Sequence, residues 1–438
     1  MNYSKIVLIT ALCVWFNPSS HASGQQPQAG GAIPVVITEE EGRYQLIRGG
    51  QPYVIHGAGM EYSRYFEALV SHGGNSLRTW STSNPAWTAQ QTLDEAAQHG
   101  VTVSLCIEIA RERHGFDYDD EQAVAAQMEY ARGEVLKYKD HPALLTWVIG
   151  NEANYAFKNP KVFDAINDIS KMIHEVDPNH PTTTALAGFN AELAGLIDAR
   201  ASDLDFLSIQ MYGDIVNLPR YIDETGFDKP YFVTEWGAIG HWEVAKTSWG
   251  APVEQNSSAK AANYLKSYQV AIASDPDQAI GSYVFLWGQK QERTPTWYGM
   301  FLSDGTETET IDVMHFIWNG TWPDNRSPQI EEMLLDSRSA YQDVIVNAGK
   351  RLDAGVIASD PDGDTLEYRW ELMRESAATQ EGGDREELPE FFPNLIDGTE
   401  QNKVVVTAPA EKGAYRLFVY VYDGAGHAGH ANIPFLVQ

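Results

Sequence analysis

The sequence predicts an α/β chain: a (β/α)8 TIM barrel followed by a small C-terminal immunoglobulin-like β-sandwich. Three observations lead there. From about residue 34 to 325, short β-rich runs alternate with helical patterns, as in a parallel sheet whose strands are joined by crossing helices. Eight such β-rich runs occur, at 53–57, 75–79, 102–107, 144–149, 182–187, 206–211, 231–234 and 281–286. After Trp322-Pro323 the texture changes to short alternating runs broken by turn signals, the pattern of stacked antiparallel sheets.

Taken in order, the chain opens with Lys5, an apolar run from Ile6 to Phe16 and the small-residue site Ser20-His21-Ala22. This reads as a signal peptide over residues 1–23. The run is shorter than the roughly 20 apolar residues a membrane span needs, and no later stretch approaches that length. A soluble, exported protein is expected, periplasmic or extracellular. The barrel domain then covers 34–325. Between its strands, Val124, Met128, Ala131 and Val135, then Val162, Ile166, Ile169 and Ile173, recur at helical spacing and lay one apolar stripe on the barrel wall. Gly100 stops one helix and Asp177-Pro178 another. An open doubly wound sheet would carry a glycine-rich phosphate loop after its first strand, and none is present. Asn325-Arg326-Ser327-Pro328 forms the junction to a domain over 326–438, with strands at 344–346, 366–372, 404–407 and 415–422 and a charged surface loop at 384–390.

Acidic residues number 60 against 31 Lys and Arg, a formal net charge of −29. Such a surface repels nucleic acid and anionic membrane, and suits an uncharged partner such as a neutral glycan. Of the two cysteines, Cys13 falls in the signal, preceded by Thr10-Ala11-Leu12, a poor match to a lipoprotein signal. Cys106 is left alone in an apolar strand, a small core residue rather than a nucleophile.

Two strands end alike. The run 144–149 leads into Gly150-Asn151-Glu152, and Tyr231-Phe232-Val233-Thr234 leads into Glu235-Trp236-Gly237. In a parallel barrel the strand ends face the functional site, so Glu152 and Glu235 are set to oppose each other at its mouth. Cleaving a glycosidic bond needs one protonated carboxyl for the leaving oxygen and one ionised carboxylate to attack or to activate water. A cation and a phenol beside Glu235 would keep it ionised, and its charge would in turn raise the pKa of Glu152.

These motifs resemble those of glycoside hydrolase clan A, the retaining barrel enzymes, across about two thirds of the chain. The resemblance implies Glu152 as acid and base, Glu235 as nucleophile, and Asn151 on the sugar 2-hydroxyl. It also implies Arg78 beside the nucleophile, Tyr212 after the sixth strand, and Trp287 after the eighth as a sugar platform. Within the clan, the order of domains and the Gly-Asn-Glu-Ala-Asn-Tyr run most resemble bacterial endo-β-1,3-glucanases of family 158. Laminarin-type β-1,3-glucan, cut internally, is the substrate this implies. Family 2 galactosidases or mannosidases come second, because those enzymes carry β-domains before the barrel. A transglycosylase or a non-catalytic carbohydrate-binding protein are the other readings.

Indoles crowd the barrel. Trp80, Trp236 and Trp242 are candidate sugar-stacking planes near strand ends, whereas Trp147 lies inside a strand and reads as core. Glu108 is a third carboxylate near a strand end. Asp360, Asp362 and Asp364 alternate in a way that can hold calcium, but Asp-Gly turns need no ion, and His427 with His430 lacks a zinc ligand set. No metal or cofactor is expected, and the protein is expected to act as a monomer.

Overall fold

The computed structural model describes residues 31–379 and 383–438. The expected signal peptide and Cys13 lie outside the described residues. Gly31–Gln438 packs as one compact unit. Its first element is an antiparallel flap of β1 (Val35–Glu40), β2 (Arg43–Arg48) and β3 (Gln51–Pro52). The flap buries Val35 and Leu46 against Leu145, Phe206 and Phe232 of the barrel. The Tyr53 N–H donates to the Leu46 carbonyl (2.9 Å). That bond draws the start of the 53–57 run into the flap, and the first barrel strand lies further on than expected.

Among the described residues the barrel has eight parallel strands. They are β4 (Gly57–Gly59), β5 (Ser76–Arg78), β6 (Thr102–Ile107), β7 (Leu144–Asn151), β8 (Thr182–Ala187), β9 (Leu207–Gln210), β10 (Tyr231–Glu235) and β11 (Ala279–Val284). β11 pairs with β4 and closes the ring. Helices α1 (Phe66–Ser71), α2 (Ala89–His99), α3 (Glu121–Tyr138), α4 (Lys161–Val176), α5 (Ala191–Arg200), α6 (Leu218–Thr225), α7 (Ser257–Ser267) and α8 (Glu309–Asn319) accompany the strands. Side-chain oxygens of Thr88, Asp120, Asn190 and Asn256 cap the amide ends of α2, α3, α5 and α7. Gly100, in the left-handed region, ends α2 as its position in the sequence requires. Val162, Ile166, Ile169 and Ile173 of α4 are all buried.

Inside the barrel, small polar side chains replace the usual aliphatic layer. The Tyr283 hydroxyl bonds both Ser76 Oγ (2.8 Å) and Ser104 Oγ (2.7 Å), and Thr146 Oγ1 donates to Ser104 Oγ (2.9 Å). Strand residues two apart share a face, so this layer lies directly beneath Arg78, two residues past Ser76 on β5. Cys106 is fully buried on β6, and burial pushes its thiol up to about 12.

The C-terminal region is a two-sheet β-sandwich. Its strands are β12 (Glu307–Thr308), β13 (Gln329–Leu335), β14 (Val344–Val346), β15 (Arg351–Ser359), β16 (Glu367–Arg374), β17 (Ile396–Asp397), β18 (Lys403–Thr407), β19 (Gly413–Tyr422) and β20 (His427–Val437). One sheet runs β12-β20-β19-β16, with β14 also on β20, and the other β13-β15-β18-β17. Leu352, Val406, Leu417 and Phe435 share the core between them. Sequence alternation misses β13, β15, β17 and β20. In β13 a register shift between Ile330 and Glu332 breaks the alternation, and β20 is buried nearly throughout. Asp360 Oδ1 accepts from the amides of Asp362 (2.9 Å) and Asp364 (3.1 Å), so that motif is a hydrogen-bonded turn.

Sandwich and barrel share a buried polar seam. Glu254 lies fully inside it, accepting from Lys260, from Thr294 Oγ1 (2.6 Å) and from Asn432 Nδ2 of β20 (2.6 Å). Nearby, burial drives His430 down to about 3, leaving it neutral. On the other side, β12 comes from the barrel yet pairs in parallel with β20. There Glu307 sits 3.0 Å from His72 and 3.3 Å from His427. Burial alone would lower His427, but the bond to Glu307 and the charges of Asp312, Glu307 and Asp423 outweigh it and raise the imidazole above 6.5. Burial would raise Glu307, but its two histidine bonds hold it at about 2.

The sign of the pH dependence follows from these two shifts. The raised His427 stabilises the fold fully below its ordinary value and loses that contribution as pH rises through its folded value. Glu307 contributes above its ordinary 4.5 and loses that only as pH falls toward about 2. The melting temperature is therefore expected to fall as pH rises beyond 6.5. In His427→Gln that slope should flatten; an unchanged slope in a melting series across neutral pH would remove the pair from this role.

Candidate active site

The chemistry-bearing residues sit at the carboxyl ends of the strands. Arg78 ends β5, Asn151 ends β7, Gln210 ends β9 and Glu235 ends β10. Glu152 follows β7 with φ 51°, after Gly150 at φ 75°. A Cβ on Gly150 would meet Ile109 Cγ1 at 2.5 Å, so only glycine permits this turn. On β4, a Cβ on Gly59 would meet the Trp80 ring at 2.6 Å; its absence lets the indole lie over the barrel mouth.

Glu235 is buried and held by four donors. Oε1 accepts from Arg78 Nη1 (2.6 Å), Trp80 Nε1 (2.6 Å) and Gln210 Nε2 (2.9 Å), while Oε2, among the described residues, accepts from the Tyr212 hydroxyl alone (2.7 Å). The Arg78 guanidinium and three neutral donors balance the charge of this carboxylate, and Oε2 is the oxygen with capacity to spare. Tyr212 is raised well above 10, first by burial and then by the charge of Glu235, so it remains a donor. Asn151 turns Oδ1 inward, accepting from Arg78 and from Gln210 (2.8 Å), which leaves its Nδ2 as the end for a ligand.

Glu152 has the opposite setting. Burial, then the negative charge of Glu235, raise it to about 7 against the pull of Arg111, Arg78 and Arg113. The two carboxyls thus differ in one site, Glu152 raised toward the neutral acid and Glu235 paired with a cation, the division that acid-assisted displacement needs. A cavity of about 270 Å³ is lined by both, together with Asn151, Trp80, Tyr212 and Trp242. A second, of about 450 Å³, adjoins it and shares Glu152, Tyr212 and Trp242.

The structure brings Arg78, Asn151, Glu152, Tyr212, Glu235, Trp80 and Trp242 together. Two expected residues are elsewhere. Trp287 is 0% exposed, donates from Nε1 to the Tyr65 carbonyl (3.1 Å) and packs on Phe301 and Trp318. β11 ends at Val284, so the aromatic that reaches the cavity is Phe285. Trp236 is also 0% exposed, because it alternates with Glu235 and faces outward against Tyr264 and Tyr268. Glu108 does line the cavity, and Trp242 is 53% exposed. Sequence reasoning missed Gln210 and Glu61. Gln210 ends a strand as Glu235 does, and that position was its one visible signal; Glu61 follows β4 and lines the same cavity.

Residues 91–272 match the family model for the TIM barrel domain of glycosyl hydrolases family 2. The barrel is similar to a family 2 barrel. That is the second of the two resemblances drawn from the sequence; family 158 finds no support here. The structure of Bacteroides uniformis β-glucuronidase 2 covalently bound to a cyclophellitol-6-carboxylate aziridine aligns with a TM-score of 0.52 and 14% identity over 92% of this chain and 48% of that one. Faecalibacterium prausnitzii β-glucuronidase aligns with a TM-score of 0.50 and 15% identity over 66% of this chain and 52% of that one. At such identities the likeness is one of fold, and the chain spans about half the length of these structures. No curated protein matches the sequence.

Arg78→Met tests the ion pair at the centre of the site. Its loss leaves Glu235 buried without its cation, which should cost about 3–5 kcal/mol of stability and nearly all activity. Denaturant unfolding with a loss well under about 1 kcal/mol, the range of an exposed pair, would mean that Glu235 is not ionised in the fold.

Proposed function

We propose that the protein is a retaining β-glycosidase acting on neutral sugars. The carrying observation is the contrast between two carboxyls in one cavity: Glu235 ion-paired with Arg78 and held by three further donors, Glu152 raised to about 7. In the first step Glu235 Oε2 attacks the anomeric carbon while Glu152 gives its proton to the departing oxygen. In the second, Glu152 takes a proton from water, which displaces Glu235 and restores both groups. Asn151 Nδ2 is positioned to donate to the sugar 2-hydroxyl as positive charge develops.

Charge supports a neutral substrate. Besides the catalytic pair, Glu61, Glu108, Glu292 and Asp384 line the cavity. Of the cations there, Lys290 is engaged by Glu292 (2.7 Å), and Arg111 by the Asn151 carbonyl (3.1 Å). A uronate carboxylate would meet this excess of negative charge, whereas hydroxyls would find acceptors. A family 2-like galactosidase or mannosidase is the first candidate. Laminarin-type β-1,3-glucan, implied by the family 158 resemblance, is the second; the larger cavity beside Glu152, with exposed Trp242, favours a sugar as leaving group. Export to the periplasm or medium and action as a monomer belong to the same proposal.

The test is hydrolysis of a panel of aryl β-glycosides and laminarin, with a 2-deoxy-2-fluoro glycoside to trap the intermediate. A neutral β-glycoside should turn over, the trapped adduct should map to Glu235, and Glu235→Ala should lose on the order of 10⁴ in rate. Turnover of glucuronides alone would overturn the neutral substrate. Silence across the panel, or an adduct on another residue, would overturn the mechanism.

A further inference from the structure

The charged segment at 384–390, expected on the surface of the sandwich, instead reaches the mouth of the barrel. Gly383 and Asp384 line the same cavity as Glu152 and Glu235, although they belong to the connection between β16 and β17. Barrel loops hold this segment from two sides. After β6, the Arg113 guanidinium grips both oxygens of Asp384 (3.2 and 3.3 Å), with His114 at 3.7 Å. After β11, Lys290 Nζ donates to the Gly383 carbonyl (3.2 Å) and the Arg293 amide donates to Glu386 Oε2 (2.8 Å). Glu386 is buried, and Ser376 Oγ also donates to it (3.2 Å).

The two cavities tell which end of the substrate this segment meets. Glu152 lines both, Glu235 only the smaller. A nucleophile touches the sugar being transferred, and the acid stands between that sugar and its leaving group. The smaller cavity therefore takes the transferred sugar, and the larger one the leaving group. Gly383 and Asp384 bound the smaller cavity and not the larger.

We infer that the sandwich segment 383–386 is the wall at the non-reducing end of the cleft, with Asp384 as its specificity-determining side chain. The inference rests on the proposed glycosidase reading and deepens it: the substrate is a terminal β-linked sugar, and a second sugar beyond it collides with this wall. Asp384 spends its charge on Arg113, and its remaining lone pairs are acceptors for a hydroxyl of the terminal sugar. The sandwich is then a working part of the site.

The experiment identifies the first sugar released from the aryl β-disaccharide of a sugar whose aryl β-monosaccharide is cleaved, in wild type, Asp384→Ala and Asp384→Asn. The readout is the ratio of free monosaccharide to intact free disaccharide at early times, which partial unfolding leaves unmoved because both products come from the same active fraction. Wild type should release monosaccharide over disaccharide by about a hundredfold, and Asp384→Ala should narrow that preference by about tenfold or more, with Asp384→Asn between. A wild type that releases intact disaccharide as readily as monosaccharide, or an unchanged ratio in Asp384→Ala, overturns the wall. Failure of folded wild type to cleave either substrate, together with the rest of the panel, overturns the glycosidase reading and this inference with it.

Discussion

The buried ion pair between Arg78 and Glu235 is the constraint around which the site is arranged. Placing a carboxylate inside a barrel costs several kcal/mol unless it is paired and hydrogen-bonded. Here the pairing draws in one group from each of several strands: Arg78 from β5, Asn151 from β7, Gln210 from β9 and Glu235 from β10. Each of these side chains is oriented by another, so the cluster is fixed before any substrate arrives. Burial first, and then the same negative charge acting at a distance, raise Glu152 to about 7. The ion pair and the burial of Glu152 together assign the two roles.

Beneath the cluster, serine and threonine hydroxyls joined through Tyr283 fill the barrel. Above it, the sandwich reaches over through Asp384 and Glu386. The strand β12 and the seam around Glu254 anchor that sandwich to the barrel, so the position of Asp384 is inherited from contacts far from the mouth. The polar seam also explains β20, whose outward face carries buried His430 and Asn432 against the barrel rather than solvent-facing side chains.

Much of this was legible in the sequence because barrels place function at strand ends. Eight apolar runs give eight strands, and a glutamate directly after such a run has one direction to face. The misses have equally local causes. Trp236 follows Glu235 by one residue, and strand alternation sends it to the opposite face. Trp287 lies three residues past the end of β11, where the chain has left the sheet and turned its indole into the core. Gln210 carries no chemical signature of its own; only its two hydrogen bonds reveal it. Asp384 was beyond reach, since its partners Arg113 and His114 stand far away in the chain, and a charged run reads as surface until tertiary contacts say otherwise. The strand β13 was hidden by a register shift, and β20 by burial on both faces.

That Glu152 is raised to about 7, by burial first and then by the charge of Glu235, is the hinge of the whole site. It is tested most directly by following the carboxyl carbon of Glu152 by NMR in glutamate-labelled protein across pH, in wild type and in Glu235→Gln. Titration at about 7 in wild type and a downward shift when the neighbouring charge is removed are expected. Titration of Glu152 near the ordinary 4.5 in both proteins would contradict it, leaving no neutral acid in the site at physiological pH.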